Sequence, residues 1–171
     1  TFNPGHWDPA ALARTAKALG MQYAVFTTKH HDGYAMFHTK TSDFGVEHSP
    51  FGRDIVREFV DAFRAEGLRI GLYFSLIDWR HADYPAFIDE DKPYRFRRSR
   101  PPTPEQWERF LADMFEQVRE LLTNYGKIDV IWFDGGWERA PEQWKAVELE
   151  ALIRGLQPEI LINDRLPTVG D

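Results

Sequence analysis

Four short stretches of the 171-residue chain carry side chains that do chemistry, and each follows directly on an apolar run. The first is KHHDGY at residues 29–34, where His30, His31 and Asp32 succeed one another after YAVFTT. The second, YFSLIDW, holds Tyr73, Asp78 and Trp79; the third, WFDGGW, sets Asp134 behind Trp132 and Phe133; the last, INDR, ends on Arg165. Two histidines and a carboxylate can hold a divalent metal for hydrolysis. Adjacent residues of an extended segment point to opposite sides, so one ion is hard to reach from both His30 and His31. Both can face one site only if the chain turns at Asp32–Gly33. Serine-nucleophile chemistry lacks its G-x-S-x-G elbow, and phosphate chemistry lacks a glycine-rich loop before a helix. A carboxylate flanked by aromatics and neutral histidines is what a retaining glycosidase requires: Asp134 would attack the anomeric carbon while histidine and arginine bind sugar hydroxyls.

Plainer readings stand beside these. A histidine after a strand is commonly a surface or capping residue, and Asp134 can cap the turn made by Gly135 and Gly136. Against that, Asp134 sits at the rim of an apolar strand, where a carboxylate is costly without a task. Tyr73 is a core filler unless its hydroxyl reaches the cleft. Asp78 and Trp79 can simply open a long loop, and Asp129, at the amino end of its strand, is expected to be structural.

The elements that must position these residues alternate regularly. In WDPAALARTAKALG, Asp8 is the N-cap, Pro9 the first helical residue and Gly20 the left-handed terminus, with Trp7 and Leu12 placed as a hydrophobic staple. MQYAVFTT reads as a strand buried on both faces. DIVREFVDAFRAEG puts Ile55, Val56, Phe59, Val60 and Phe63 on one helical face before the strand LRIGLYFSL. A polar, proline-containing stretch from about 78 to 102 is too long for a simple connection. TPEQWERFLADMFEQVRELLTNYG opens on the capping box Thr103–Gln106 and carries an apolar stripe from Trp107 to Leu122. IDVIWFD is the third strand, PEQWKAVELEALIRGL one further helix, and EILIND the fourth strand. Helix and strand alternate without a hairpin signal, which predicts an α/β fold on a parallel sheet; a (β/α)₈ barrel and a doubly wound sheet both fit. All four chemical stretches fall at the carboxyl ends of the strands, whereas GMQ, GLR, GKI and QPE at the amino ends are plain punctuation. That asymmetry is the mark of an active site in parallel α/β folds.

Composition narrows the partners. A net charge of -6 and the lack of a binding arm argue against nucleic acid and anionic membranes; the basic run YRFRRSRPP at 94–102 reads as a solvated loop. No apolar run reaches the ~18 residues of a membrane span. Cysteine is absent, which excludes disulfides and thiolate metal sites. Six tryptophans within an aromatic content of 15% point weakly to sugar binding, since a pyranose offers an apolar C–H face.

The runs FNPGHWDPAALARTAKALGMQYAVFTTKHHDGYAMFHTKTSDF, GLYFSLIDW and YGKIDVIWFDGGW together resemble the catalytic domain of the family 29 α-L-fucosidases over nearly the whole chain. TKHHDGY and WFDG in combination carry the resemblance. It implies a (β/α)₈ TIM-like barrel of which residues 1–171 are one partial domain, expected to be cut at both ends. It further implies release of terminal α-L-fucose from a fucosylated oligosaccharide with retention of configuration, without a metal or other cofactor. Carried over by position, Asp134 is the nucleophile, His30 and His31 bind fucose hydroxyls, Trp132 contacts the sugar, and Tyr73 and Arg165 lie near it. The family's further fucose-binding histidine and a Glu–Trp pair are missing, and its acid/base glutamate is expected beyond Asp171. Glu138 and Glu142 lie too close to Asp134 along the chain for that role. A metal-dependent hydrolase on the same barrel and an inactive carbohydrate-binding barrel are the alternatives; a homo-oligomer is left open.

Overall fold

Helix starts and stops follow the residue types that call for them. In the computed structural model, which describes residues 2–85, 101–167 and 170–171, helix α1 (Pro9–Ala18) begins where the Asp8 carboxylate accepts the Ala11 N–H at 2.9 Å. It ends at Gly20, whose φ of 79° lets Gly20 and Met21 donate back to the carbonyls of Lys17 and Ala16. Trp7 is not spent on a staple. It packs on Phe26 and gives its indole N–H to Glu58 at 2.9 Å, while Leu12 stays 48% exposed. Asp54 caps α2 (Ile55–Ala65), which buries the five apolar residues expected of it. Thr103 and Gln106 close a full capping box on α3 (Pro104–Asn124), and Phe110, Leu111, Met114, Val118, Leu121 and Leu122 all lie in the core. No described helix is long and apolar enough to cross a membrane.

Four strands form one parallel sheet in sequential order: β1 (Tyr23–Lys29), β2 (Arg69–Ser75), β3 (Val130–Asp134) and β4 (Leu161–Ile162). The helices pack on one face only, over Phe26, Ile70, Leu72, Phe74, Ile131, Phe133 and Ile162. The expectation of strands buried on both faces therefore fails on the other side. There Tyr23 is 55%, Val25 37%, Trp132 39% and Leu161 54% exposed, because no described residue covers them. A groove of about 660 Å³ runs along that face past Arg69, Val130, Trp132 and Asn163. Sequential strand order with all helices on one side is a single winding sense, which a doubly wound sheet does not have.

The last helix departs from its prediction. Residues 141–156 form two pieces, α4 (Pro141–Trp144) and α5 (Ala146–Leu156), broken at Lys145 in the left-handed region at φ 50°. Such a conformation costs a non-glycine residue roughly 1–2 kcal/mol. The break accompanies the complete burial of Trp144, whose indole N–H donates to the Gly136 carbonyl at 2.9 Å, while the Lys145 ammonium pairs with Glu108. No helical periodicity signals such a tether.

Beyond the two residues of β4 the ladder is continued by a side chain. Asn163 accepts the Phe133 N–H at 2.7 Å and donates to the Phe133 carbonyl at 2.9 Å, as a backbone peptide would. Asn163→Ala leaves both groups of Phe133 without that partner and is expected to destabilise the chain by about 1–3 kcal/mol, read by denaturant unfolding. An unchanged midpoint would show that this side chain contributes nothing to the sheet.

Candidate active site

β1 does not run straight into its histidines. Its pairing with β2 slips between Thr27 and Lys29, so that Thr28 and Lys29 are both buried instead of alternating. His30 to Gly33 then make a tight turn, closed by the Gly33 N–H on the His30 carbonyl at 3.0 Å. Gly33 has φ 79°, and a Cβ there would lie 2.2 Å from Asp78 Oδ1, so no other residue fits. The turn brings the two imidazoles together rather than apart. Their centroids are 4.3 Å from each other, and His30 lies parallel on the Tyr73 ring at 5.5 Å. The divergence that an extended segment implies is thus removed by the bulge and turn. Asp32 serves the turn, its carboxylate accepting the Tyr34 N–H at 3.2 Å.

Asp134, the last residue of β3, is only 9% exposed. Tyr73 donates its hydroxyl to Oδ2 at 2.8 Å, and Arg165 donates Nη1 to Oδ1 at 2.8 Å. The sheet register explains Tyr73: it pairs with Trp132, two steps before the pair Ser75–Asp134 and so on the same face of the sheet. Gly136 explains Arg165, because a Cβ at residue 136 would lie 2.3 Å from the Arg165 carbonyl oxygen. Tyr73 thus reaches Asp134 from β2, and Arg165 from the segment that follows β4.

The electrostatics follow from these contacts. Burial alone would raise the Asp134 pKa. The hydrogen bonds of Tyr73, Arg165 and the Gly135 N–H, with the charge of Arg165, outweigh it and hold the carboxyl below its usual range. Burial and the bond to Asp134 push the Tyr73 hydroxyl well above the ordinary tyrosine value, so it stays a donor. Burial, reinforced by His30, lowers His31 against the pull of Asp134, Glu138 and Asp32. The set is an ionised carboxylate beside a neutral imidazole.

Of the residues singled out by sequence, His30, His31, Tyr73, Asp134 and Arg165 form one cluster. Trp132 lies on the same sheet face but outside its hydrogen bonds, half exposed along the groove. Asp129 is structural, accepting the Ile70 N–H at 2.8 Å. Asp78 does more than open a loop. It forms a buried ion pair with Lys29 at 3.2 Å and accepts the N–H groups of Arg80 and His81. Ser75, Lys29 and Trp137 were not singled out, although Trp137 stands edge-on to His31 at 6.3 Å and carries the Arg165 guanidinium over its ring at 6.0 Å. Trp137 was legible as the last letter of WFDGGW; Ser75 and Lys29 look like ordinary strand residues. The stretch 86–100, with most of the basic run, lies outside the described residues.

One ligand atom from each of His30, His31 and Asp134 can be chosen so that all lie within 4.8 Å of one another. The geometric objection to a shared metal ion is therefore gone. An electrostatic one replaces it, since a dication would sit beside the guanidinium already on Asp134. A cavity of about 1000 Å³ between residues 38–48, 80–83 and α3 includes none of the cluster, which stands open on the sheet rim. Size and chemistry disagree here, and the convergent polar groups mark the site better than the volume does.

Polar groups gathered at the carboxyl rim of a parallel sheet, around one ionised carboxylate, place the chain in the α/β class whose strand ends carry the chemistry. A family profile described as Alpha-L-fucosidase matches residues 1–169. The chain is 32% identical to the tissue alpha-L-fucosidase of Bos taurus over 96% of its own length and 32% of the relative's. The solved alpha-L-fucosidase isoenzyme 1 of Paenibacillus thiaminolyticus superposes with a TM-score of 0.87 at 50% identity, over 97% of this chain and 40% of that one. A GH29 alpha-L-fucosidase from Bacteroides thetaiotaomicron gives a TM-score of 0.84 at 32% identity, over 96% of this chain and 35% of that one. The chain belongs to the alpha-L-fucosidase family, and it spans about a third of the length of the curated relatives it matches.

Tyr73→Phe removes a donor to ionised Asp134 and is expected to raise its pKa toward the ordinary carboxylate range. A depressed carboxylate contributes stability that is present above its unfolded value and lost as pH falls through its folded value. In the variant that loss is therefore smaller and is complete at higher pH. A ¹³C titration of the labelled aspartate carboxyls checks it, and an unmoved Asp134 midpoint would refute the role of Tyr73.

Proposed function

We propose that residues 1–171 are part of the (β/α)₈ catalytic barrel of a retaining α-L-fucosidase, which hydrolyses terminal α-L-fucose from fucosylated glycans through a covalent intermediate on Asp134. The observation that carries this reading is the Asp134 carboxylate, held ionised by Tyr73 and Arg165 with two imidazoles beside it. Family membership supports the substrate. The Bacteroides relative has been solved as a trapped covalent intermediate with 2-fluoro-fucosyl fluoride, which supports the retaining course. Sequential parallel strands with one uncovered apolar face support the barrel.

In this reading a carboxylate oxygen of Asp134 forms the bond to the anomeric carbon as the glycosidic bond breaks. The leaving oxygen takes a proton from a second carboxylic acid, proposed to lie beyond Asp171 and about 5–5.5 Å from Asp134 in the assembled barrel. Water then reverses the first step with that group as base. Tyr73 and Arg165 each bind one oxygen of Asp134, leaving the other lone pairs for attack. His30 and His31 hold the sugar hydroxyls, and Trp132 lies against the sugar's apolar face. Metal-dependent hydrolysis is the second reading, favoured by the grouping of His30, His31 and Asp134 and opposed by Arg165.

The test uses the enzyme that contains this chain. Asp134→Ala is expected to fold and to lose nearly all turnover, because the covalent step has no nucleophile. Azide in the vacated space restores part of the rate and yields a fucosyl azide of inverted configuration. A 2-fluoro-fucoside labels Asp134 in the wild type, and a chelator leaves activity unchanged. Substantial activity in Asp134→Ala, a label on another residue, or activity lost to chelation and restored by zinc would overturn the assignment.

A further inference from the structure

His31 is gripped from one side by the segment that follows β2. Its Nδ1 lies 2.6 Å from Ser75 Oγ, and its carbonyl accepts the Trp79 N–H at 2.8 Å. Ser75 is fully buried, so no solvent molecule competes for its hydroxyl. That hydroxyl also lies 2.8 Å from the Ile77 carbonyl oxygen. A hydroxyl has one proton to give, and a carbonyl has none. The proton must point to Ile77, because otherwise two oxygens would face each other at hydrogen-bond distance with nothing between them. Ser75 Oγ is then an acceptor toward His31, and the imidazole must carry its proton on Nδ1. Among the described residues the other nitrogen, Nε2, has no hydrogen-bond partner, and it is not sealed from solvent.

We infer that Ser75 is a positioning residue which, through the Ile77 carbonyl, fixes the proton of His31 on Nδ1 and leaves Nε2 as a bare hydrogen-bond acceptor for a substrate hydroxyl. The inference rests on the fucosidase reading for the identity of that hydroxyl; the tautomer itself does not. A sugar hydroxyl that gives its proton to Nε2 keeps its oxygen lone pairs for donors nearby, so the direction of the hydrogen bonds around the sugar is set before it binds. The opposite tautomer would meet the same hydroxyl donor to donor. Presetting the ring avoids a reorganisation on binding, which is the general advantage of a preorganised site. The signal is invisible in sequence, since Ser75 is one more small residue at the end of an apolar strand.

The tautomer is read directly by long-range ¹H–¹⁵N correlation on the ¹⁵N-histidine-labelled enzyme that contains the chain, with His31→Gln identifying the signal. The wild type is expected to show a protonated Nδ1 and an unprotonated Nε2. Ser75→Ala is expected to shift this population toward Nε2–H. In the enzyme that contains the chain, the same substitution should weaken inhibition by free fucose about tenfold and raise KM more than it lowers kcat. A wild-type Nε2–H signal, an unshifted tautomer in Ser75→Ala, or unchanged fucose inhibition in that variant would overturn the inference. If Ser75→Ala does not fold, the wild-type spectrum alone decides. An enzyme that hydrolyses no fucoside would defeat the functional reading instead, while the spectrum still decides what Ser75 does to His31.

Discussion

A carboxylate largely withdrawn from water at the end of an apolar strand stays ionised only if donors replace its hydration. Asp134 obtains them from β2 on one side and from the segment after β4 on the other, and much of the surrounding architecture follows from delivering them. Tyr73 must leave β2 two register steps early and lean along the rim. Arg165 must come from beyond β4, so the segment after Ile162 has to fold back over β3. That return needs a backbone without a side chain at Gly136 and a clamp at Asn163, which ties the stretch to Phe133 just before Asp134. Trp144, reaching under the same turn to the Gly136 carbonyl, braces it from the helical side at the cost of a strained Lys145.

A second withdrawn charge does the same for the histidines. Lys29 and Asp78 are 1% and 7% exposed at the side chain, and burial pulls the lysine pKa down against the attraction of its partner. Replacing such a pair by apolar residues is often neutral or stabilising, so its presence is weak support for a stability role. Its position argues for placement. Asp78 meets Lys29 from one direction, the N–H groups of Arg80 and His81 from another, and Gly33 by direct packing. One carboxylate thus locks the turn that bears His30 and His31 onto the loop after β2, with Trp79 and Ser75 adding the contacts to His31. Removing Lys29 alone would leave a buried charge uncompensated at the hub of that lock.

What the sequence made legible is what depends on local chemistry. Caps at Asp8 and Thr103, stops at glycine, the apolar stripes and the concentration of polar residues at strand ends each rest on a few neighbouring letters, and the structure carries them all. The failures have the opposite character. The slip between Thr27 and Lys29, which turns two histidines to one side, arises from how β1 meets β2 and not from either strand alone. The break at Lys145 arises from a tryptophan bonded across to another turn. The exposure of Tyr23 and Val25 has a different origin again. Their apolar run reads as doubly buried, and it is buried on one face only among the described residues.

That uncovered face bears on how the site works. Asp134 and Trp132, two residues apart on β3, project on the same side as the exposed apolar residues, and Trp132 lines the groove. Covering it would remove water from both at once. Loss of water would drive His31 further toward the neutral form and would by itself raise Asp134, while strengthening the hydrogen bonds from Tyr73 and Arg165 that hold it ionised. Those opposing effects leave the same ordering of charges, an anion beside the neutral His31 ring, but with steeper fields than an open rim allows. The hydrogen bonds that hold Asp134 against that rise, from Tyr73 and Arg165, are already made within this chain.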